Sequence, residues 1–491
     1  MDADVIVVGA GPTGLLLAGD LAEAGVAVTV LERRSEESNL TRAFAVHART
    51  MEHLEMRGLA DELATTGTAI RTLRLLDRVQ LDLAALPSTF ASALVTPQYQ
   101  TERVLQQRAT ALGARLVHGA EVTGVTQDEH GVEVAVRPIA GRPIEDTAAS
   151  YRAAYAVGAD GVHSAVRQAL GLPFPGRSVI KSLMLADVRL SSPPPDMLSL
   201  NSDGDGFAFV APFGDGWYRV IAWNRLHQVG DTAPVELEEI REVTRRAMGS
   251  DLGMHDPRWL SRFHSDERQV PRYRVGRVFL AGDAAHCHSP AGGLGMNTGL
   301  QDAANLSWKL AAAVQGWGNE RLLDSYHAER HPIGRQVVRT SGAIVRLMMV
   351  RPRWGRAVRS AIGQLLLGIP PVAARVAATI SGIGIRYPAP RGVDPRVGTR
   401  VPDIPLVGSR LYEALRGGRF VLIGADAARI DLPPQVDAAV PARPTGELLL
   451  VRPDGYLAWI GTAAGFPAWA SEYFHRRGGT TKVVNSATTE R

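Results

Sequence analysis

A glycine-rich turn between a short apolar strand and a helix constrains the fold of this chain more than any other feature of its sequence. The β-branched run Asp4–Val8 is typical of a buried parallel strand, and the segment Thr13–Ala24 carries leucines at helical spacing. The turn between them reads Gly-Ala-Gly-Pro-Thr-Gly, and a second strand over Val26–Leu31 ends in Glu32. This order predicts the first βαβ unit of a Rossmann-type α/β domain.

The spacing of the three glycines and the acid fits a bound dinucleotide. Gly9 permits a tight turn, Gly11 lets backbone N–H groups approach a pyrophosphate, and Gly14 allows close packing of the helix on the strand. The positive end of the helix faces the same anion. Glu32 is predicted to accept a hydrogen bond from the ribose hydroxyls. The adjacent Arg33 is included among the predicted cofactor-binding residues. An ordinary glycine-rich loop is the less favoured interpretation.

Two later strands are also followed by an acidic residue next to a glycine. A strand over Ala154–Gly158 leads into the pattern D-G-x-x-S-x-x-R. A strand over Val278–Ala281 ends in Gly-Asp, and a glycine-rich loop and a helix over about Gly299–Ala313 follow it. The residues that carry chemistry in these two patterns are Asp160, Gly161, Ser164, Arg167, Gly282 and Asp283.

The three motifs, in this order and at these separations, resemble those of the class A flavoprotein monooxygenases, the single-component FAD-dependent aromatic hydroxylases. The likeness covers essentially the whole chain and is strongest to the bacterial branch that hydroxylates aromatic polyketides. It implies an FAD-binding domain over 1–175 and 269–385, an inserted antiparallel substrate-binding sheet over 176–268, and a linker over 386–402. A thioredoxin-like domain without a CxxC motif is implied over 403–491.

The resemblance assigns roles to individual residues of the cofactor site. Asp283 matches the acid that binds the ribityl chain of FAD, and Asp160 matches the acid linked to both FAD and reduced nicotinamide. Arg42 and Gln98 match flavin-contacting positions, with Gln100 as a competing register for the glutamine. The complete cofactor set is Gly9, Gly11, Gly14, Glu32, Arg33, Arg42, Gln98, Asp160, Gly161, Arg167, Gly282, Asp283, Pro290, Gly295, Met296 and Asn297.

The segment Gly295–Asn297 matches the one that touches the N1 and O2 atoms of the flavin. A helix that starts there would present free backbone N–H groups and its positive end, which favours the negative charge of reduced flavin near N1. Leu294 departs from the pattern, because relatives usually carry Gln or Lys at that position. No metal is expected, since His286-Cys287-His288 is better explained by packing of the flavin loop.

The implied activity is that of an NAD(P)H- and FAD-dependent monooxygenase. Molecular oxygen would react at flavin C4a, and the resulting C4a-hydroperoxyflavin would hydroxylate a polycyclic aromatic polyketide, as in the tailoring of an antibiotic or another secondary metabolite. Baeyer–Villiger oxygenation and oxygenation that inactivates an antibiotic remain open. A flavoprotein that does not oxygenate is the less favoured alternative from a different class.

Alternating aromatic residues suggest where a flat substrate could stack. Phe207 and Phe209 precede a Gly-Asp-Gly turn, and Trp217 and Trp223 follow it. They form either a wall of the substrate site or part of the core. His47 is a weak catalytic candidate that could equally cap a helix, and no general base is assigned.

Composition narrows the class of protein further. The 491 residues carry 54 basic and 50 acidic side chains without a basic block, so nucleic acid is not expected as a partner. A single cysteine does not indicate an oxidising compartment, so a cytoplasmic location is expected, and a homodimer is possible. Proline and arginine interrupt the apolar stretch 364–385, so a membrane is not expected either.

Overall fold

The computed structural model of the protein describes residues 1–35, 43–75, 79–139, 149–194, 198–389 and 391–474, without the side chains of residues 74, 75 and 79. The helices in these ranges are α1 (Pro12–Glu23), α2 (Ala48–Glu55), α3 (Ala60–Ala64), α4 (Gln98–Ala111), α5 (Ala165–Ala169), α6 (Leu237–Met248), α7 (Leu294–Val314), α8 (Glu320–Met348), α9 (Arg353–Leu367), α10 (Pro370–Ser381), α11 (Leu411–Ala414) and α12 (Phe466–Tyr473).

The strands are β1 (Val5–Val8), β2 (Val28–Glu32), β3 (Ala45–Val46), β4 (Thr68–Ile70), β5 (Thr72–Leu75), β6 (Val79–Asp82), β7 (Ala93–Val95), β8 (Arg115–His118), β9 (Ala120–Gln127), β10 (Val132–Pro138), β11 (Ser150–Ala153), β12 (Tyr155–Gly158), β13 (Gly176–Leu190), β14 (Ser199–Ser202), β15 (Gly206–Pro212), β16 (Tyr218–Asn224), β17 (Met254–Gln269), β18 (Arg274–Val275), β19 (Val278–Leu280), β20 (His286–Cys287), β21 (Pro405–Leu406), β22 (Ser409–Arg410), β23 (Phe420–Ile423), β24 (Val436–Ala439), β25 (Leu448–Val451) and β26 (Leu457–Gly461).

Six strands form the sheet that contains the glycine-rich turn, in the order β18-β19-β12-β1-β2-β8. All neighbours pair in parallel except β18, which joins β19 antiparallel at the edge. Every residue of β1 and β2 is buried, and α1 packs against both strands and against α4 and α7. The predicted Rossmann-type architecture is therefore confirmed. Helix α7 begins at Leu294, earlier than the predicted start near Gly299.

An eight-stranded sheet in the order β20-β17-β13-β16-β15-β14-β5-β6 forms a second layer. Most of its strands lie within the segment expected to form the inserted sheet, but β5, β6 and β20 come from outside 176–268. Helix α6 within that segment was not predicted. Its residues Ile240, Val243 and Ala247 lie three or four positions apart and are buried beside β15 and β16. The sheet is thus larger than the inserted segment and is covered by a helix.

The C-terminal region forms a four-stranded sheet in the order β24-β23-β25-β26. Strands β23 and β24 are parallel, whereas the other pairs are antiparallel, and α12 follows the last strand, as expected for a thioredoxin-like unit. One isolated bridge, from Arg386 to Thr399, joins the two ends of the predicted linker, and a second, from Arg400 to Tyr456, joins the linker to this unit. The exact domain limits stay predictions.

Buried ion pairs join the C-terminal region to the helices beside it. Arg400 Nε donates to Glu52 Oε2 of α2 at 2.7 Å. Arg452 Nη1 donates to Glu329 Oε1 of α8 at 2.8 Å, and Lys309 Nζ of α7 donates to the other oxygen of Glu329 at 2.8 Å. The C-terminal region is therefore bonded to helices that also approach the glycine-rich turns.

Within the part of the chain that the structure describes, no single helix has the length and hydropathy needed to cross a membrane. Helices α9 and α10 meet that requirement only as a pair, and they are bent by 100° relative to each other.

Candidate active site

A cleft of about 320 Å³ lies between the parallel sheet and the eight-stranded sheet. The three motifs, which are far apart in the sequence, meet at this cleft. The predicted cofactor residues that line it are Gly11, Gln98, Gly161, Asp283, Pro290, Gly295 and Met296. Of the other predicted residues that the structure describes, several lie behind this lining and fix its shape.

The three glycines of the first turn differ in what surrounds them. Gly9 has a φ of +103°, and a Cβ there would lie 2.5 Å from the carbonyl oxygen of Ala159. A Cβ on Gly14 would overlap the carbonyl oxygen of Gly9, whereas nothing lies within 4 Å of a Cβ added to Gly11. Gly9 and Gly14 are therefore required by the fold itself, and Gly11 borders open space in the cleft.

Glu32 at the end of β2 is held from several directions. Its Oε2 accepts the backbone N–H of Ala10 at 2.6 Å, and its Oε1 accepts Nε of Arg34 at 3.0 Å. Burial alone would raise the pKa of Glu32, but Arg34 and the backbone donors keep it below its ordinary value. Arg33, the predicted neighbour, is exposed, and the structure instead brings Arg34 to the site.

The Asp-Gly turn after β12 contains a buried oxygen without a partner. Asp160 Oδ2 accepts the backbone N–H of Val166 at 3.2 Å, but Oδ1 has no hydrogen-bond partner among the described residues. Burial raises the pKa of the Asp160 carboxyl group above its ordinary value. Arg167 does not line the cleft; it donates to the carbonyl oxygens of Val162 and Ala284 at 2.6 and 3.0 Å. It thereby ties this turn to the Gly-Asp turn.

Asp283 is exposed at the edge of the cleft, in a single 3-10 turn over Gly282–Ala284. The φ of Gly282 is +59°, and a Cβ there would lie 2.8 Å from Oγ1 of Thr13 in α1. A Cβ on Gly299 of α7 would overlap the same oxygen. The turn that bears Asp283 is therefore packed tightly against the first turn of α1.

A fully buried carboxylate, Asp302, holds this turn in place, and the sequence analysis did not identify it. It accepts the backbone N–H of Gly282 at 3.1 Å, Nε2–H of His286 at 2.7 Å and Nε–H of Arg330 at 2.7 Å. Arg330 also donates to the carbonyl oxygen of Thr298 at 3.2 Å. Burial would raise the pKa of Asp302, but the charge of Arg330 keeps it below its ordinary value.

Asn297 and His47 hold the flavin loop from behind without lining the cleft. Asn297 Oδ1 accepts the backbone N–H of His47 at 2.8 Å, and Nδ2 donates to the carbonyl oxygens of Ala45 and Gly293 at 2.8 and 2.7 Å. His47 Nε2 donates to the carbonyl oxygen of Gly292 at 2.9 Å. Burial lowers the pKa of the His47 imidazole below its ordinary value, so the ring is neutral near pH 7.

Two helices begin at the cleft. Helix α1 follows Gly11 and helix α7 follows Gly293, and neither N-terminus is capped by a side chain. Their first backbone N–H groups and positive dipole ends are therefore available to an anionic ligand. Leu294, where a polar residue was expected from the resemblance, is buried beside Ile333 and Val337.

The glutamine that lines the cleft is Gln98, the first residue of α4. Its Oε1 accepts the backbone N–H of Ala43 at 3.0 Å, and its Nε2 donates to Glu102 Oε1 at 2.7 Å. The competing residue Gln100 is not part of the lining. Arg42, which was expected beside the flavin, lies outside the described residues.

The four aromatic residues proposed for substrate binding lie in three different environments. Phe207 and Trp223 are each 5 % exposed, and their rings stack on each other with centroids 5.8 Å apart, so they belong to the core. Trp217 is partly buried under the guanidinium of Arg258. Phe209 packs at 5.3 Å against Phe44, which does line the cleft. Of the four, Phe209 is therefore connected to the cleft through a residue that was not predicted.

Three observations support the fit of a flavin dinucleotide to the cleft. Space beside Gly11 and Gly161 is open to a pyrophosphate, because nothing lies within 4 Å of a Cβ added to either residue. Asp160 Oδ1 needs a donor that the described residues do not supply. The two uncapped helix N-termini complement the negative charges of the pyrophosphate and of reduced flavin.

Several residues of the site were not found from the sequence. Phe44 and Phe263 line the cleft, Arg34 contacts Glu32, and Asp302 fixes the Gly-Asp turn. Arg34 is adjacent to the predicted Arg33, whose own role at the cofactor stays a prediction. No sequence pattern near Asp302 predicts its role, because its hydrogen-bond partners lie on other elements of the structure.

Comparison with known proteins agrees with this geometry. Residues 2–341 match the model of a family described as FAD binding domain, and residues 394–476 match one described as aromatic-ring hydroxylase, C-terminal. An uncharacterized aromatic compound monooxygenase of Bacillus subtilis (strain 168) is 38 % identical over 94 % of each chain. The 12-dehydrotetracycline 5-monooxygenase/anhydrotetracycline 6-monooxygenase of Streptomyces rimosus is 39 % identical over 94 % of this chain and 95 % of its own. A rifampicin monooxygenase of Streptomyces venezuelae is 37 % identical over 95 % of this chain and 98 % of its own.

Three solved structures resemble this chain over nearly its whole length. The anhydrotetracycline hydroxylase of Streptomyces rimosus has a TM-score of 0.83 and 36 % identity, covering 98 % of this chain and all of its own. An aromatic hydroxylase from angucycline biosynthesis has a TM-score of 0.84 and 35 % identity, covering 96 % of this chain and 99 % of its own. A Diels-Alderase from pyrroindomycin biosynthesis has a TM-score of 0.81 and 34 % identity, covering 96 % of this chain and 99 % of its own.

Proposed function

Because the chain belongs to the FAD-dependent aromatic-ring hydroxylases, we propose that it uses NAD(P)H and molecular oxygen to insert one oxygen atom into a polycyclic aromatic polyketide. The observation that carries this proposal is the convergence of three glycine-containing turns and two uncapped helix N-termini on one cleft. No second glycine-rich βαβ fingerprint occurs in the sequence, so the nicotinamide would dock transiently without a Rossmann domain of its own.

The residues of the cleft would divide the binding of FAD among them. The first turn of α1 and Gly11 would bind the pyrophosphate, and Glu32, oriented by the backbone N–H of Ala10, would accept a hydrogen bond from the ribose. Asp283 would bind the ribityl chain, and Asp160 would find the donor that its Oδ1 lacks. The bound flavin supplies the redox and oxygen-activating chemistry, which no protein side chain provides.

The remaining residues would shape the reaction space. The N-terminus of α7, fixed by Asn297 and Asp302, would stabilise negative charge at the edge of the isoalloxazine ring. Phe44 and Phe263 would exclude water and offer flat apolar surfaces to the substrate. The names of the tetracycline and angucycline hydroxylases among the relatives support a fused-ring substrate of this kind.

A second candidate is a flavoprotein of this fold that does not oxygenate its substrate. The Diels-Alderase, at 34 % identity over nearly the whole chain, is the observation that favours it. The cofactor cleft would be the same in both cases, so the two functions differ in the product and in the consumption of NAD(P)H.

Purified protein with its bound flavin tests the proposal. We expect one FAD per chain to be released on denaturation, and polycyclic phenols to stimulate NAD(P)H oxidation with a product heavier by one oxygen atom. Asp283→Ala should weaken FAD binding by about 1.5–3 kcal/mol, the contribution of a hydrogen bond to a charged group. Asp61→Ala, which removes an exposed carboxylate of α3, should leave FAD binding unchanged. If Asp283→Ala binds FAD like the parent protein, the ribityl role is wrong.

A further inference from the structure

Helix α9 turns its apolar side toward solvent. Trp354, Val358, Ile362 and Leu365 lie three or four residues apart, so they share one face of the helix, and they are 73, 48, 50 and 70 % exposed. No residue of α9 is buried. An amphipathic helix on the surface of a folded domain normally directs this stripe at the core. The orientation of α9 is therefore the reverse of the usual one.

The exposed stripe is extended by Leu366 in the last turn of α9 and by Leu347 and Ile369 beyond its two ends. Leu366, Ile369 and Leu347 are 46, 43 and 50 % exposed, and the carbonyl oxygen of Leu347 accepts Nη1 of Arg359 at 2.9 Å. The α9 face, as the term is used below, consists of Leu347, Trp354, Val358, Ile362, Leu365, Leu366 and Ile369. A cluster of this kind marks an interaction surface more often than a scattering of single apolar residues does.

The other side of α9 is fixed to the protein. Arg356 donates to the backbone oxygens of Asp203 and Arg351 at 2.5 and 2.7 Å, and Leu367 packs against the core of the eight-stranded sheet. The helix also contacts β6. Because the polar side is bonded inward, rotation of α9 to bury the stripe would break these contacts.

The chain segment that bears the α9 face is strongly basic. Residues 331–393 contain ten arginines, no lysine and no acidic residue, although the whole chain carries a net charge of only +4. Arg346, Arg353 and Arg375 are exposed, and Arg351 is exposed while paired with Asp205. Apolar side chains and an excess of positive charge therefore occupy the same segment of the chain, and Asp205 pairs with one of its arginines.

This combination distinguishes between two occupants of the face. A second copy of the chain, joined by a two-fold axis, would place the same arginine-rich patch against itself, and like charges would oppose the contact. An anionic phospholipid surface has acyl chains for the apolar stripe and phosphates for the arginines, and tryptophan is favoured at that boundary. The charge pattern favours the lipid.

We propose that the α9 face docks peripherally on an anionic phospholipid surface. The apolar side chains would enter the boundary between headgroups and acyl chains, and the arginines would lie among the headgroups. The sequence-based expectation of no membrane considered only segments that span a bilayer, and a helix lying in the interface does not need that length. The proposal does not depend on the reaction that the cleft performs.

Flotation of the FAD-loaded full chain with vesicles tests this inference. We expect it to float with vesicles of phosphatidylcholine mixed with phosphatidylglycerol, to float poorly with phosphatidylcholine alone, and to be released by added salt. Leu365→Ser and Trp354→Ser should each weaken binding by about tenfold, because each removes a large apolar side chain from the lipid. Val407→Ser is the matched control, since Val407 is also 70 % exposed but lies in the C-terminal region.

Three results would overturn the proposal. The first is no flotation with the anionic vesicles. The second is an equal loss of binding in Val407→Ser and Leu365→Ser, with flavin content unchanged in both. The third is self-association of the parent protein that Leu365→Ser abolishes while neither protein binds vesicles, which would make the α9 face a contact between copies of the chain. Reduced preference for phosphatidylglycerol in Arg353→Gln and Arg375→Gln would support it.

Discussion

The side chain of Asn297 accepts a hydrogen bond from the backbone N–H of His47 at 2.8 Å, although the two residues are 250 positions apart in the chain. The same amide group donates to Ala45 and Gly293, so one side chain joins β3, the start of α2 and the start of α7. One buried amide therefore ties the loop that faces the cleft to β3 and to the start of α2.

Replacing that amide should cost more than replacing the histidine it contacts. Asn297→Ala removes three hydrogen bonds and leaves buried backbone groups unpaired, so we expect a loss of about 2–3 kcal/mol in the free energy of unfolding. His47→Ala removes the side-chain bond to Gly292 but keeps the backbone N–H that Asn297 accepts. We expect its loss to be smaller. Urea denaturation of both variants measures the difference, and equal losses would contradict the role given to Asn297.

Gly11→Leu should produce a folded protein that lacks FAD. A Cβ at Gly11 meets nothing within 4 Å, so the fold tolerates a side chain there, but that side chain would occupy the space of the pyrophosphate. Gly230→Leu is the matched control, because its Cβ is equally free and the residue is not part of the cleft. Circular dichroism reports folding, and flavin absorbance reports loading. Stoichiometric FAD in folded Gly11→Leu would reject the pyrophosphate site.

The buried arginine of the C-terminal region should contribute strongly to stability. Arg452→Ala leaves Glu329 and Asp454 without their main partner in the interior, which costs on the order of 3 kcal/mol or more. Arg429→Ala removes an ion pair whose arginine side chain is 84 % exposed, so its effect should be within about 0.5 kcal/mol. The first unfolding transition in urea compares them. Similar transitions for the two variants would mean that the buried pairs do not hold the region.

The stability of the protein should depend on pH through Lys309. Burial lowers the pKa of this ammonium to about 8 from its ordinary 10.5. Between these values the unfolded chain binds the proton that the folded chain has lost, so stability rises with pH. We therefore expect the free energy of unfolding of the parent protein, relative to Lys309→Met, to increase as pH rises above about 8. A difference that is constant from pH 7 to pH 10 would show that the buried ammonium does not titrate in this range.

Features encoded by local sequence were predictable. The turn at Gly9, the strand before it and the helix after it follow from glycine spacing and apolar periodicity over a short segment. The hairpin between β15 and β16 follows from alternation around a Gly-Asp-Gly turn. Helix α6 was missed although Ile240, Val243 and Ala247 carry its period, because the segment was interpreted as continuous strands.

Features that depend on distant contacts were not predictable. The bonds of Asp302 to Gly282, His286 and Arg330 exist only once the two sheets and α8 are packed together. Likewise, alternation placed Phe207 and Phe209 on one face, but packing decides that Phe207 stacks in the core while Phe209 adjoins the cleft. One sequence pattern therefore covered two different environments.

The most direct test of the proposed function is turnover under labelled dioxygen. The FAD-loaded protein is supplied with NAD(P)H and a polycyclic phenol that stimulates NAD(P)H oxidation, and the product is analysed by mass spectrometry. We expect one labelled oxygen atom in each product molecule and none when the label is in the water instead. A product without labelled oxygen, formed while FAD remains bound, would contradict monooxygenation and favour the flavoprotein that does not oxygenate.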